Sequence, residues 1–209
     1  MKKRFLSLLV VAFVLFSTQA LFAEDTYYEK GDTKFSFTTG VTVPLYLHFW
    51  ESTSDHEDQW NFFSDTNIYT GGYGAISFEK FYSSKISIGG EFGYSFNYDE
   101  GSNLYYNIPL MAKVLYYPIQ SVKYDGYLFG DLGITYNHYT DENSDSSQGL
   151  LSPYISMGIG GTYYFNENWG LGMETGVTFI PQISIYDDTA DDNGTFATIP
   201  IMLKVSYRN

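Results

Sequence analysis

The sequence predicts an all-β fold, an eight-stranded antiparallel up-and-down transmembrane β-barrel. Three observations carry that expectation. Eight segments alternate apolar and polar residues with a period of two, the signature of strands with one greasy face. Long polar connections alternate with short ones. An export signal precedes the first segment, in a chain that contains no cysteine.

The last segment, 195–207, shows the pattern most plainly. Ala197, Ile199, Ile201, Leu203, Val205 and Tyr207 share one face, while Thr198, Lys204 and Ser206 share the other. Upward strands are expected at 33–49, 85–97, 124–139 and 168–182, and downward strands at 67–81, 104–117, 152–165 and 195–207. In the first, Phe35, Phe37, Val41, Val43, Leu45, Leu47 and Phe49 align on the lipid face. In the third, Ile86, Ile88, Phe92, Tyr94 and Phe96 do so. The second segment is the least defined, because its Gly-rich start leaves the register free to slip.

The start of the chain reads as a signal peptide, 1–23. Lys2, Lys3 and Arg4 precede an apolar run over 5–16, which suits a signal core and is short for a membrane span. Cleavage after Ala23, with Ala20 as the other reading, leaves one barrel domain, 24–209. Without cysteine there is neither a disulfide nor a lipoprotein anchor. The composition includes 21 Tyr, 17 Phe and 20 Gly. Tyrosine suits the girdles where a ring sits in lipid and its hydroxyl among headgroups. Mean hydropathy is slightly negative, which excludes a helical membrane protein and suits strands that are only half apolar.

Charge is unevenly placed. The formal net charge is −13. The long connections, 50–66, 98–103, 140–151 and 183–194, hold acidic residues such as Glu51, Asp58, Asp99, Asp141, Asp187 and Asp192, and no Lys or Arg. Connections 82–84, 118–123 and 166–168 are tight. Long outside and short inside is the outer-membrane arrangement. An acidic outer rim repels nucleic acid, so no nucleic-acid partner is expected, and it suits divalent cations as surface partners.

These segments, with the phrases Asn107-Ile-Pro-Leu-Met-Ala-Lys113 and Asn168-Trp-Gly-Leu-Gly-Met173, resemble the small eight-stranded outer-membrane barrels of the OmpA/OmpX/OmpW type. The resemblance implies a bacterial outer-membrane location, lipid partners and insertion by the outer-membrane assembly machinery. Barrels of that family often end on an aromatic residue read by that machinery; here Tyr207 is followed by Arg208 and Asn209.

The inward phase suggests two lumen regions. Glu79, Glu91, Lys113, Asp131, Glu174 and Lys204 fall low or midway, and two ion-pair clusters are expected: Lys113 with Glu91 and Asp131, and Lys204 with Glu174. They form either an internal salt-bridge core or a proton or ion relay. Nearer the outside, Tyr46, Tyr105, Met111, Ile180, Phe196 and Met202 make an apolar cup with Thr42, Asn107 and Thr198, the make-up of a site for a small hydrophobic solute. Pro44, Pro109, Pro181 and Pro200 lie at the same height. Proline cannot donate to a ladder, so these mark either a weakened seam between the first and last strands or the top of the wall.

Other constellations carry less. His138-Tyr139-Thr140 loosely resembles the His-x-Ser of a lipid A deacylase, but Thr stands for Ser and no carboxylate is placed to orient the histidine. His48 is expected inside, near the rim. The run 187–194 has a calcium-loop composition without the terminal bidentate Glu. No catalytic residue, metal site or cofactor is expected. The expected function is a narrow channel or binding cup for small hydrophobic solutes. The alternatives are a non-conducting structural or adhesin-like barrel that works through its acidic loops and, more remotely, a lipid-modifying enzyme.

Overall fold

The computed structural model describes residues 27–49, 61–140, 147–182 and 194–209. The expected signal peptide, His56, Trp60 and the 187–192 acidic run lie outside the described residues. The chain forms β1 (Thr33–Phe49), a two-residue β2 (Asn61–Phe62), a 3-10 turn (Phe63–Thr66), β3 (Gly71–Ser83), β4 (Ile86–Tyr98), β5 (Leu104–Gln120), β6 (Tyr124–Thr140), β7 (Ser147–Tyr164), β8 (Trp169–Gln182) and β9 (Gly194–Arg208). β2 pairs only with the upper end of β1. The other eight pair in sequence order, every pair antiparallel, and β1 pairs with β9 to close the ring. Closure leaves no wall edge unpaired, so backbone groups are satisfied within lipid.

The eight expected segments are the eight staves. The largest boundary difference is β7, which begins at Ser147 rather than 152, because its ladder with β6 runs up to the pair Thr140–Ser147. β3 starts at Gly71 rather than 67.

Side chains sort by the pleat. Phe35, Phe37, Ile76, Phe78, Ile88, Leu110, Leu132, Met173 and Leu203 are exposed on the outer wall, where lipid, not water, is their solvent. Near the periplasmic end, Trp169 and Tyr207 meet edge-on at 5.1 Å, on the lipid side, where the start of β8 pairs with the end of β9.

An eight-stranded lumen is just wide enough for side chains to fill. Here two inward aromatic residues take the room left by two glycines across the β6–β7 ladder. Tyr127 pairs with Gly160 and Phe129 with Gly158. A Cβ on Gly160 would stand 2.5 Å from the Tyr127 ring, and one on Gly158 2.7 Å from that of Phe129. Glycine is what lets those rings cross the lumen.

Candidate functional site

The lumen is layered from the periplasmic end upward. The lowest layer is built partly by the residues before β1. Tyr28 enters the barrel mouth and stacks on Phe81 at 4.0 Å between ring centroids. Its hydroxyl donates to Asp125 Oδ2 at 2.6 Å, and the backbone N–H groups of Tyr27 and Tyr28 donate to Gln120 Oε1. Burial and the Asp125 carboxylate raise the Tyr28 phenol far above its usual range, so it stays neutral and donates. Lys34, fully buried, pairs with the same Asp125 oxygen at 2.9 Å, and Tyr164 donates to it at 2.9 Å. Arg208 lies across the mouth. Its guanidinium sits 3.8 Å from the Tyr27 ring centroid and 3.5 Å from that of Tyr164, and it donates to the backbone carbonyls of Val122 and Glu167.

The middle layer holds the charges singled out in the sequence. Lys113 Nζ lies 2.9 Å from Glu91, 3.0 Å from Glu174 and 3.8 Å from Asp131. Glu174 also takes Lys204 at 3.3 Å and the Tyr127 hydroxyl at 3.0 Å. The two expected clusters are therefore one network, joined at Glu174. The reason is geometric: β5 and β8 face each other across a lumen narrow enough for Lys113 to reach the far wall. Glu79 stands apart from the lysines and accepts from Tyr117 at 2.7 Å and from Ser87. Glu91 also accepts from Tyr73 at 2.7 Å. Asp131 is the loose member, for its Oδ1 has no partner. Such charges cost several kcal/mol each to bury and are held by mutual pairing.

The Lys34–Asp125 pair and its tyrosines were not singled out from the sequence. Inward parity on β1 and β6 was the available signal, but both residues sit at strand ends. The role of residues 27–28 had no signal, because a stacked plug shows no periodicity.

The upper layer is apolar. Met111, Tyr154, Ile180 and Phe196 form one buried cluster, with Leu47, Ile68 and Tyr105 packed against it. Tyr105 meets Phe196 edge-on at 5.6 Å, donates to Asn137 and accepts from Gln182 at 2.7 Å. Met202 belongs to a neighbouring cluster with Tyr73 and Ala75. Thr42, Asn107 and Thr198 are buried around these groups.

Tyr46 does not join them. The β1–β9 register shifts between Pro44 and Tyr46, and a bulge of one residue exchanges the faces of everything beyond it. Leu47, opposite Phe196, takes the inward place expected of Tyr46. Tyr46 pairs with Ala197, on the outward phase of β9. His48 pairs with Thr195 on that same outward phase, not the inward one expected. Leu47 is correspondingly not a lipid-face residue. His138 stacks on Tyr106 with ring centroids 4.9 Å apart; the side chain of Thr140 lies outside the described residues.

The prolines act elsewhere than expected. The closing β1–β9 ladder is continuous from Lys34–Arg208 to Phe49–Gly194 apart from the bulge, so the first and last strands are not parted. The β4–β5 ladder skips Gly93 and Tyr94, opposite Pro109 and Ile108. The β8–β9 ladder skips Gly176 and Val177, opposite Pro200 and Ile199. A strand residue bonds to one neighbour or the other, so a proline breaks only the ladder its missing N–H would have served. For Pro200 that is β8, not β1. The Pro200 carbonyl accepts from the Thr175 hydroxyl at 2.8 Å. The two gaps are four strands apart in the ring, on opposite walls.

Comparisons with known proteins agree with this architecture. A protein-family model matches residues 18–207. An uncharacterized protein of Borreliella burgdorferi is 27% identical over 122 residues, which cover 51% of this chain and 58% of that protein. Among solved structures, Neisserial surface protein A is 13% identical with a TM-score of 0.52, over 85% of this chain and 97% of that one. Ail, the attachment invasion locus protein of Yersinia pestis, is 12% identical with a TM-score of 0.48, over 86% and 99%. Outer membrane protein W of E. coli is 16% identical with a TM-score of 0.47, over 87% and 100%. At 13% identity, the likeness to Neisserial surface protein A is one of fold. The closed ring of eight antiparallel strands, apolar outside and filled within, has the fold of the small eight-stranded outer-membrane β-barrels.

Proposed function

We propose that this outer-membrane barrel is closed to ions and meets its surroundings through its acidic extracellular connections, as a structural or surface-interaction protein. The observation that carries this reading is Lys113 bridging Glu91 and Glu174 from one wall to the other. Below it, Tyr28 and Arg208 occupy the periplasmic mouth. Opening such a lumen means separating charges that are buried and paired with one another, at a cost of several kcal/mol. The acidic connections then provide the charged surface, suited to cationic partners or divalent cations. The test is planar-bilayer conductance of the purified protein together with calcium titration of its surface. Silence in the bilayer is expected; discrete openings in the unmodified protein overturn the closed-lumen reading.

A second reading, a cup for a small hydrophobic solute, draws support from the gap beside Pro200, which lies at the height of Ile180 and Met202. A solute would have to displace Phe196 from Tyr105. Under this reading, Phe196→Ala speeds uptake of an apolar dye into vesicles. Unchanged uptake removes it.

A further inference from the structure

A groove of about 520 Å³ lies on the outside of the barrel at its periplasmic rim, lined by Lys30, Gly31, Lys80, Phe81, Tyr82 and Ile88. We propose that it binds the headgroup of one anionic phospholipid of the inner leaflet.

The argument begins with the pleat of β3. Ile76, Phe78, Lys80 and Tyr82 share its outward face, and all four are exposed. Lys80 therefore stands at the lower edge of the apolar belt, opposite the lipid-facing Ile88 on β4. A lysine there can rest its stem on hydrocarbon and lift its ammonium into the headgroup layer. The second ammonium comes from the segment before β1. The Gly31 N–H donates to the Phe81 carbonyl at 2.9 Å, and the Phe81 N–H donates to the Asp32 carbonyl at 2.8 Å. These bonds fasten the segment to the foot of β3. Gly31 turns there with φ of +108°, which a side-chain-bearing residue rarely adopts. The turn sets Lys30 over the Tyr82 ring, with Nζ 5.3 Å from its centroid.

The same turn separates charges of opposite sign. Glu29 and Asp32 line a different cavity, at the aqueous mouth, with Arg208. Lys30 faces the outer wall. Among the described residues no carboxylate pairs with Lys30 or Lys80, and both are exposed. Two unpaired ammoniums above an apolar floor match a phosphate ester attached to acyl chains. The groove opens onto the apolar belt, so the occupant is a lipid. Interfacial lysines attract anionic headgroups in this way.

The experiment uses the protein refolded into nanodiscs of equal phosphatidylglycerol and phosphatidylcholine, with retained lipid read by native mass spectrometry. One phosphatidylglycerol is expected to stay bound in preference to phosphatidylcholine. The double variant Lys30→Gln, Lys80→Gln should lower that preference about thirtyfold, on the scale of two interfacial lysines. Lys85→Gln with Lys123→Gln, which alters two other exposed periplasmic lysines, should leave it unchanged. Equal loss in both double variants would show only a diffuse basic rim and overturn the site. So would no loss in the first. Glycerol 3-phosphate added to pure phosphatidylcholine nanodiscs separates the sources of phosphate: retention equal to that of the lipid would also overturn the assignment.

Discussion

The lower and upper halves of the lumen solve the same packing problem in different ways. Below, buried charges hold one another: Lys34 with Asp125, and Lys113 and Lys204 with Glu174. Above, side chains such as Met111, Ile180 and Phe196 fill space through apolar contact rather than ion pairs. The lower half is therefore brittle, because removing one member strands the rest. The upper half is plastic, because apolar volume is interchangeable within limits. The wall follows the same division. The β4–β5 and β8–β9 ladders are interrupted only beside Pro109 and Pro200, so the weaker wall surrounds the plastic core.

The most disruptive change should be Lys113→Met. It keeps volume but leaves Glu91 and Glu174 without their shared cation, and should cost about 3–5 kcal/mol. Urea unfolding in lipid vesicles, followed by heat-modified gel migration, measures it. A variant as stable as the parent would remove the idea of a brittle lower half.

Tyr28→Phe comes next. It preserves the stack on Phe81 and deletes the hydrogen bond to the charged Asp125, worth about 1.5–3 kcal/mol, together with the contact to the Tyr164 hydroxyl at 3.0 Å. Tyr164 and Lys34 still hold Asp125, so the loss should fall short of that for Lys113. Limited proteolysis at the N-terminal end offers a second readout, since residues 27–32 should become cleavable.

Met111→Leu probes the upper half at the position two residues above Lys113 on the same strand face. A volume-conserving swap should cost under about 1.5 kcal/mol. A loss matching that of Lys113→Met would erase the contrast between the halves. Smallest of all should be Asp131→Asn. Its carboxylate is the farthest from Lys113, at 3.8 Å, and one of its oxygens has no partner. Removing its charge should change stability by less than about 1 kcal/mol, and a large loss would show that Asp131 is an integral member of the network.

Much of this was legible along the chain. A strand's faces are fixed by a period of two, so one aligned residue places its whole stave. That is why the inward positions of Glu91, Lys113 and Glu174, and the outward positions of Ile88 and Leu203, follow from pattern alone. The same rule misplaces Tyr46, Leu47 and His48, because a single extra residue after Pro44 reverses parity. Proline signals that a ladder will break, but not which of its two ladders. The link between the two charge clusters was hidden for another reason. Pattern tells which way a side chain points and not how far across a ring it reaches.

The sequence by itself determined the number of staves, their order, their lipid faces and the acidic character of the long connections. Each of these is a local property of alternation or composition. The closed ring decided the rest. It joined Lys113 to Glu174 across the lumen, seated Tyr28 beneath them, and folded Lys30 back against β3. Those contacts lie between residues 61, 97 and 52 positions apart, and only the curvature and diameter of the barrel bring them within reach.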